Sequence, residues 1–125
     1  MAVGEARSRP RVVLVVDDEP PVLRMMARAL LEAGYAVHTA SNGPDALAVA
    51  AELPRPPDLV VTDIRMMPMG GTELAARLFS RHLATRFLFV SGYGPAPEFD
   101  ENFGPFLLKP FSPGRLIEEV SGLIG

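Results

Sequence analysis

The chain has 125 residues, the size of one domain, long enough to bury a hydrophobic core and too short for a second module of useful size. Its 48% hydrophobic and 22% charged residues are the balance of a folded globular protein, and a net charge of −3, with 12 basic residues scattered among 15 acids, offers no field for nucleic acid or an acidic membrane. There is no cysteine, which excludes disulfides, thiolate metal sites and a Cys nucleophile.

Residues 1–10 read as a flexible leader before a single domain over 11–125. The leader is basic and runs into the apolar stretch Val12 to Val16, too short for a secretory signal core and far below the roughly 18 residues that span a bilayer. No membrane contact and a cytoplasmic location are expected. Val12 to Val16 reads as the first strand, and Asp17-Asp18-Glu19 follows it. Pro20 and Pro21 then open a helix with Val22, Leu23, Met26, Ala27 and Leu30 on one face, which Gly34 is placed to stop. Tyr35 to Thr39 is the second strand, and an Ala-rich helix runs from about Pro44 to Leu53.

Leu59 to Thr62 forms the third strand and delivers Asp63; a helix spans about Thr72 to His82, with Leu74, Ala75 and Leu78 facing inward. Phe87 to Val90 is the fourth strand, ending at Ser91. The interval Gly92 to Pro105 holds three Gly and three Pro, so the helix that should join strands four and five is predicted to be short or missing. Phe106 to Leu108 is the fifth strand and leads to Lys109-Pro110; a last helix starts at Ser112-Pro113 and carries Leu116, Ile117, Val120 and Leu123. Alternating strands and helices imply an α/β fold with a parallel, doubly wound sheet, and the nearly all-apolar first and third strands suit a sheet covered on both faces.

In open α/β sheets function gathers at the carboxyl ends of the strands. There the sequence places Asp17, Asp18 and Glu19, then Asp63, then Ser91, then Lys109. Clustered carboxylates repel one another unless a cation neutralises them, and all-oxygen ligation suits a hard ion such as Mg2+ (or Mn2+). Asp63 would then be a nucleophile forming an acyl phosphate, with Lys109 and the Ser91 hydroxyl contacting the phosphoryl oxygens.

The stretches VVLVVDDEP, LVVTDIRMMPMGG, FLFVSGY and FLLKPF, in this order and spacing, resemble the signatures of response-regulator receiver domains of two-component signalling, over Arg11 to the C-terminus. The resemblance implies a flavodoxin-like five-stranded sheet of order 2-1-3-4-5. It also implies Asp63 as phosphoacceptor, Asp18, Asp63 and the Arg65 backbone carbonyl as metal ligands, Asp17 as a ligand through water, and Ser91 and Phe106 as switch residues. Lys109 matches the family lysine, and the Lys109–Pro110 bond is expected to be cis. The SGY and GxFLxKPF patterns look most like receivers attached to hybrid sensor kinases or their free-standing relatives. The partners implied are a histidine kinase or histidine phosphotransfer protein and a downstream protein, with no nucleic acid, and a monomer is expected from the Gly92–Pro105 composition.

Two departures stand out. Met67 occupies the position, four after the acceptor, where such receivers usually carry proline, and Pro68 follows; the Ser91-to-Lys109 interval is shorter than in the best-known receivers. Phe106 stands where the switch aromatic is expected, without a hydroxyl. A haloacid-dehalogenase-type phosphatase is disfavoured because Arg65 stands where its second acid belongs; a flavin or nucleotide binder, because no Gly-rich loop follows strand one. A phosphorylation-independent scaffold is the remaining alternative. Met25, Met26, Met66, Met67 and Met69 read as core filler, His38 and His82 have no metal-ligand partner, and Phe99, Phe103, Phe106 and Phe111 are either core or an exposed patch.

Overall fold

The β-branched run at the start of the domain becomes an interior strand of the sheet, paired on both sides. The computed structural model of the protein describes residues 9–92 and 104–125. Five strands, β1 (Val12–Val16), β2 (Ala36–Ala40), β3 (Leu59–Asp63), β4 (Phe87–Ser91) and β5 (Phe106–Leu108), pair in parallel in the order β2-β1-β3-β4-β5. Four helices lie among the described residues: α1 (Pro20–Glu32), α2 (Gly43–Glu52), α3 (Gly71–Ser80) and α4 (Pro113–Ile124). The expected sheet order is the one observed. The helix expected to be short or missing between strands four and five falls on residues 93–103, outside the described residues, as do Phe99 and Phe103.

Alternation along the strands sorts the core into two layers. Leu14, Val16, Val60, Phe87 and Phe89 pack with Ala46 and Leu47 of α2 and Leu74 and Leu78 of α3. Val13, Val15, Leu59, Val61, Leu88 and Val90 pack on the other face with Met26 and Leu30 of α1 and Leu116 and Val120 of α4. Strands β3 and β4 are buried throughout, whereas edge strand β2 exposes His38 and Thr39.

Helix ends follow local chemistry, and here the boundaries move. Helix α2 starts one residue before Pro44, because the Asn42 side chain accepts a 2.8 Å hydrogen bond from the Asp45 amide and so fixes the first turn. Ser112 caps α4 in the same way, accepting from the Arg115 amide at 3.0 Å. Helix α1 stops as expected at Gly34: with φ of 103°, the Gly34 amide bonds the Leu31 carbonyl and the Tyr35 amide the Leu30 carbonyl, a Schellman closure. Helix α3 ends at Ser80, short of the expected His82, through the same pair of bonds from His82 to Phe79 and from Leu83 to Leu78. There His82 itself takes the left-handed conformation, with φ of 58°. Strand β2 runs one residue later than expected, because the Tyr35 amide is taken by the end of α1.

The methionines divide. Met26, Met66 and Met69 are buried and Met25 is half-buried against the α1–α4 layer, but Met67 is 81% exposed in the turn after β3 and is not core filler. That turn is tight for a local reason: the Gly71 amide donates to the Ile64 carbonyl at 2.8 Å, and a Cβ at Gly71 would run into the Asp63 carbonyl oxygen. The start of α3 therefore rests directly on the backbone of Asp63.

Candidate functional site at the carboxyl edge of the sheet

Parallel register carries the polar ends of β1, β3, β4 and β5 to one edge. Asp63 pairs with Val90 and Ser91 with Leu108, and the Lys109 amide continues the ladder to the Ser91 carbonyl at 2.9 Å. Asp17 follows β1, its amide bonded to the Ala40 carbonyl. Asp17, Asp63 and Ser91 are buried, whereas Asp18 is exposed. One carboxylate oxygen from each of Asp17, Asp18 and Asp63 lies within 4.8 Å of the others, the one such cluster found among the described residues.

The Lys109 ammonium reaches into this cluster. It lies 2.9 Å from Asp17 Oδ2, 3.0 Å from Glu19 Oε1 and 3.6 Å from Asp63 Oδ2. The contact with Asp17 Oδ2 is an ion pair rather than an aligned hydrogen bond, so this buried oxygen keeps unused acceptor capacity. Its partner Oδ1 accepts from the Glu19 amide at 2.9 Å. A buried carboxylate oxygen without an aligned donor, on a residue clustered with two further carboxylates, fits a hard divalent cation, which takes oxygen ligands and tolerates few other donors.

Electrostatics agrees with that fit. Burial, then the neighbouring Asp17 charge, pushes the Asp63 carboxyl up to about 6 against the pull of Lys109. A hydrogen bond from the Arg65 backbone amide opposes the rise as well. Burial also raises Asp17, although Lys109 and the Glu19 amide oppose it. Burial alone would lower the Lys109 pKa, but its close contacts with the Asp17 and Glu19 carboxylates outweigh it and the net shift is upward. Several carboxylates share one ammonium, so the edge is short of positive charge.

The sequence-predicted residues Asp17, Asp18, Asp63 and Lys109 therefore meet, with Ser91 beside them at the end of β4. Arg65 is exposed just past Asp63, and both it and Lys109 line a cavity of about 610 Å3 whose other walls include Asp18, Glu19, Val22, Met25, Pro110 and Phe111. The Lys109–Pro110 bond is cis, and so is Met67–Pro68. Phe106 sits apart from the carboxylates, half-buried against the α2–α3 layer, and Phe111 is half-buried on the opposite layer. Sequence reasoning gave Glu19 no role beyond its place in the acidic triplet. The one hint in the sequence is that glutamate is not among the preferred N-cap residues, which does not by itself name a partner. His38 is exposed on the edge strand and His82 is exposed beyond α3, and neither enters the site.

Comparison with known proteins gives the same picture. A family model described as "Response regulator receiver domain" matches residues 13–121. Sensor kinase CckA of Brucella abortus (strain 2308) is 40% identical over 120 residues, a stretch covering 90% of this chain and 12% of that protein. Among solved structures, the chemotaxis protein CheY4 of Vibrio cholerae gives a TM-score of 0.82 at 28% identity, covering 92% of this chain and 99% of CheY4. The response regulator protein TrrA of Thermotoga maritima, solved in complex with Mg2+–BeF, gives 0.78 at 29% identity over 91% of this chain and 99% of TrrA. TrrA solved in complex with histidine kinase ThkA gives 0.75 at 29% identity, covering 92% of this chain and 99% of the matched chain. The chain spans about half or less of the length of the curated relatives it matches. It belongs to the response regulator receiver domain family, the signalling switches of two-component systems.

Proposed function

We propose that residues 11–125 form a phosphoacceptor unit that takes a phosphoryl group on Asp63 from a histidine kinase or histidine phosphotransfer protein. The observation that carries this reading is the convergence of Asp63 with the Asp17 and Asp18 carboxylates, with the Lys109 ammonium 3.6 Å from Asp63. An oxygen of the Asp63 carboxylate attacks phosphorus, the bond from phosphorus to the donor breaks, and the donor leaves with that electron pair. Lys109 then offers positive charge to the phosphoryl oxygens and the Ser91 hydroxyl donates to one of them. Asp18, Asp63 and the Arg65 carbonyl would hold Mg2+ or Mn2+ directly, and Asp17 would hold it through water. When bound, the cation offsets the carboxylate charge and stabilises the equatorial oxygens in transfer.

The complexes of TrrA with Mg2+–BeF and with a histidine kinase support carrying this chemistry and this partner class to the chain. The only catalysis assigned is that of the domain's own phosphorylation and dephosphorylation. Output runs through contacts with a downstream protein, biased by the new charge on Asp63, with Ser91 and Phe106 as switch residues. No helix among the described residues is long and apolar enough to cross a membrane. We further propose a cytoplasmic domain that acts as a monomer.

Intact-protein mass after incubation with acetyl phosphate tests the reading. A gain of one phosphoryl group with Mg2+, absent with chelator and absent in Asp63→Asn, is expected. No gain with acetyl phosphate or with kinase donors would leave the phosphorylation-independent scaffold.

A further inference from the structure

Lys109 is the only lysine in the chain, so every ammonium contact the phosphoacceptor edge receives from a side chain comes from this one group. In the structure it lies nearer to Asp17 and Glu19 than to Asp63: 2.9 and 3.0 Å against 3.6 Å. Its two close partners differ in kind. Asp17 is wholly buried and belongs to the carboxylate cluster, whereas the Glu19 side chain is 60% exposed and lies outside that cluster.

The local sequence frees Glu19 for this contact. Glu19 is the N-cap of α1, yet its side chain makes no capping hydrogen bond. The donors a cap would use are the amides of the second and third helical residues, and the second, Pro21, has none. The Glu19 backbone is held instead by Asp17 Oδ1 at 2.9 Å, which aims the carboxylate across the mouth of the cavity to Lys109.

We infer that Glu19 is a positioning residue, a latch whose carboxylate holds the Lys109 ammonium toward Asp17 and away from Asp63, and that a phosphoryl group on Asp63 must win Lys109 from it. The inference rests on Asp63 being the phosphoacceptor. Because an ion pair whose acidic partner is solvent-exposed is weak and easily exchanged for another, Glu19 tunes occupancy of the phosphorylated state and does not block it. Asp17, desolvated and anchored, stays beside the ammonium throughout.

The test uses the full chain, lysine-labelled with 13C and 15N so that a single side-chain signal reports on Lys109, and beryllofluoride at saturating Mg2+ as the phosphoryl probe. Native protein is compared with Glu19→Gln, which keeps size and removes charge, and with Glu19→Asp, which keeps charge and shortens reach. The latch predicts that both variants shift the Lys109 signal before the probe is added and bind beryllofluoride about two- to fivefold more tightly. If Glu19→Gln tightens binding while Glu19→Asp behaves as native, the effect is repulsion through space and the latch is overturned. Native-like binding and an unmoved Lys109 signal in both variants overturn it too, with the phosphoacceptor reading intact. Failure of native protein to bind beryllofluoride removes that reading, and the latch falls with it.

Discussion

The two edges of the sheet carry acidic residues put to opposite uses. At the amino edge, Asp58 accepts a 2.7 Å hydrogen bond from the Val12 amide and lies 3.7 Å from the Arg11 guanidinium, tying the loop before β3 to the start of β1. Across the same edge, Arg86 donates to the Leu123 carbonyl and fastens the end of α4. At the carboxyl edge, Asp17, Asp18 and Asp63 crowd together with too little positive charge, and burial raises both Asp17 and Asp63. One edge spends its carboxylate on holding strands, the other holds carboxylates in reserve for a ligand. Polar groups that are satisfied stabilise the fold; polar groups left short of partners mark where chemistry happens.

The sharpest way to break this contrast is to neutralise Asp63. Its folded pKa lies above the ordinary carboxylate value, so the folded state binds the proton more tightly than the unfolded chain does. Any stability from that proton is complete below about pH 4 and lost as pH rises through about 6. In metal-free buffer at pH 7, Asp63→Asn should therefore be more stable than native, by about 1–3 kcal/mol. Urea unfolding should show the gap opening between about pH 4 and 6 and then staying level. Excess Mg2+ should close much of it, since the native carboxylate then gains a ligand that asparagine cannot match.

At the opposite edge the sign reverses. Asp58→Ala removes a charged acceptor from the Val12 amide and should cost about 1.5–3 kcal/mol, with no response to Mg2+. A stability gain there, or a Mg2+ effect of the size seen at Asp63, would erase the distinction between the edges. Away from both edges, the paired helix ends supply a smaller control. Gly34→Ala, forced into a positive φ, should cost about 1 kcal/mol, and His82→Gly, relieved of one, should gain up to about 1 kcal/mol by the same denaturant measurement.

Most of the site was legible because a parallel sheet does the assembling. Each short apolar run predicts a strand, and the polar residue after it must then lie on the shared edge; Asp17, Asp63, Ser91 and Lys109 follow from that rule alone. What escaped were choices made by side chains in competition. Nothing in the spacing distinguishes Glu19 as a Lys109 partner from an acid that merely decorates a helix start. Met67 reads as one more apolar residue, but the turn forced by Gly71 against Asp63 points it outward. At His82 the end of α3 is closed by the Leu83 amide bonding the Leu78 carbonyl, with Leu83 packed against the core layer, although the residue type carries no stop signal.

The division of the interior into two apolar layers reaches beyond stability. Helices α1 and α4 share one layer, α2 and α3 the other, and the strands stand between them as a partition. The wall of the cavity formed by Val22, Met25 and Phe111 belongs to the α1–α4 compartment, whereas the start of α3 bears on Asp63 from the other side. Substitutions at Val22, Met25 or Phe111 therefore reshape the cavity wall from one compartment and leave the support that α3 gives to Asp63 in the other untouched.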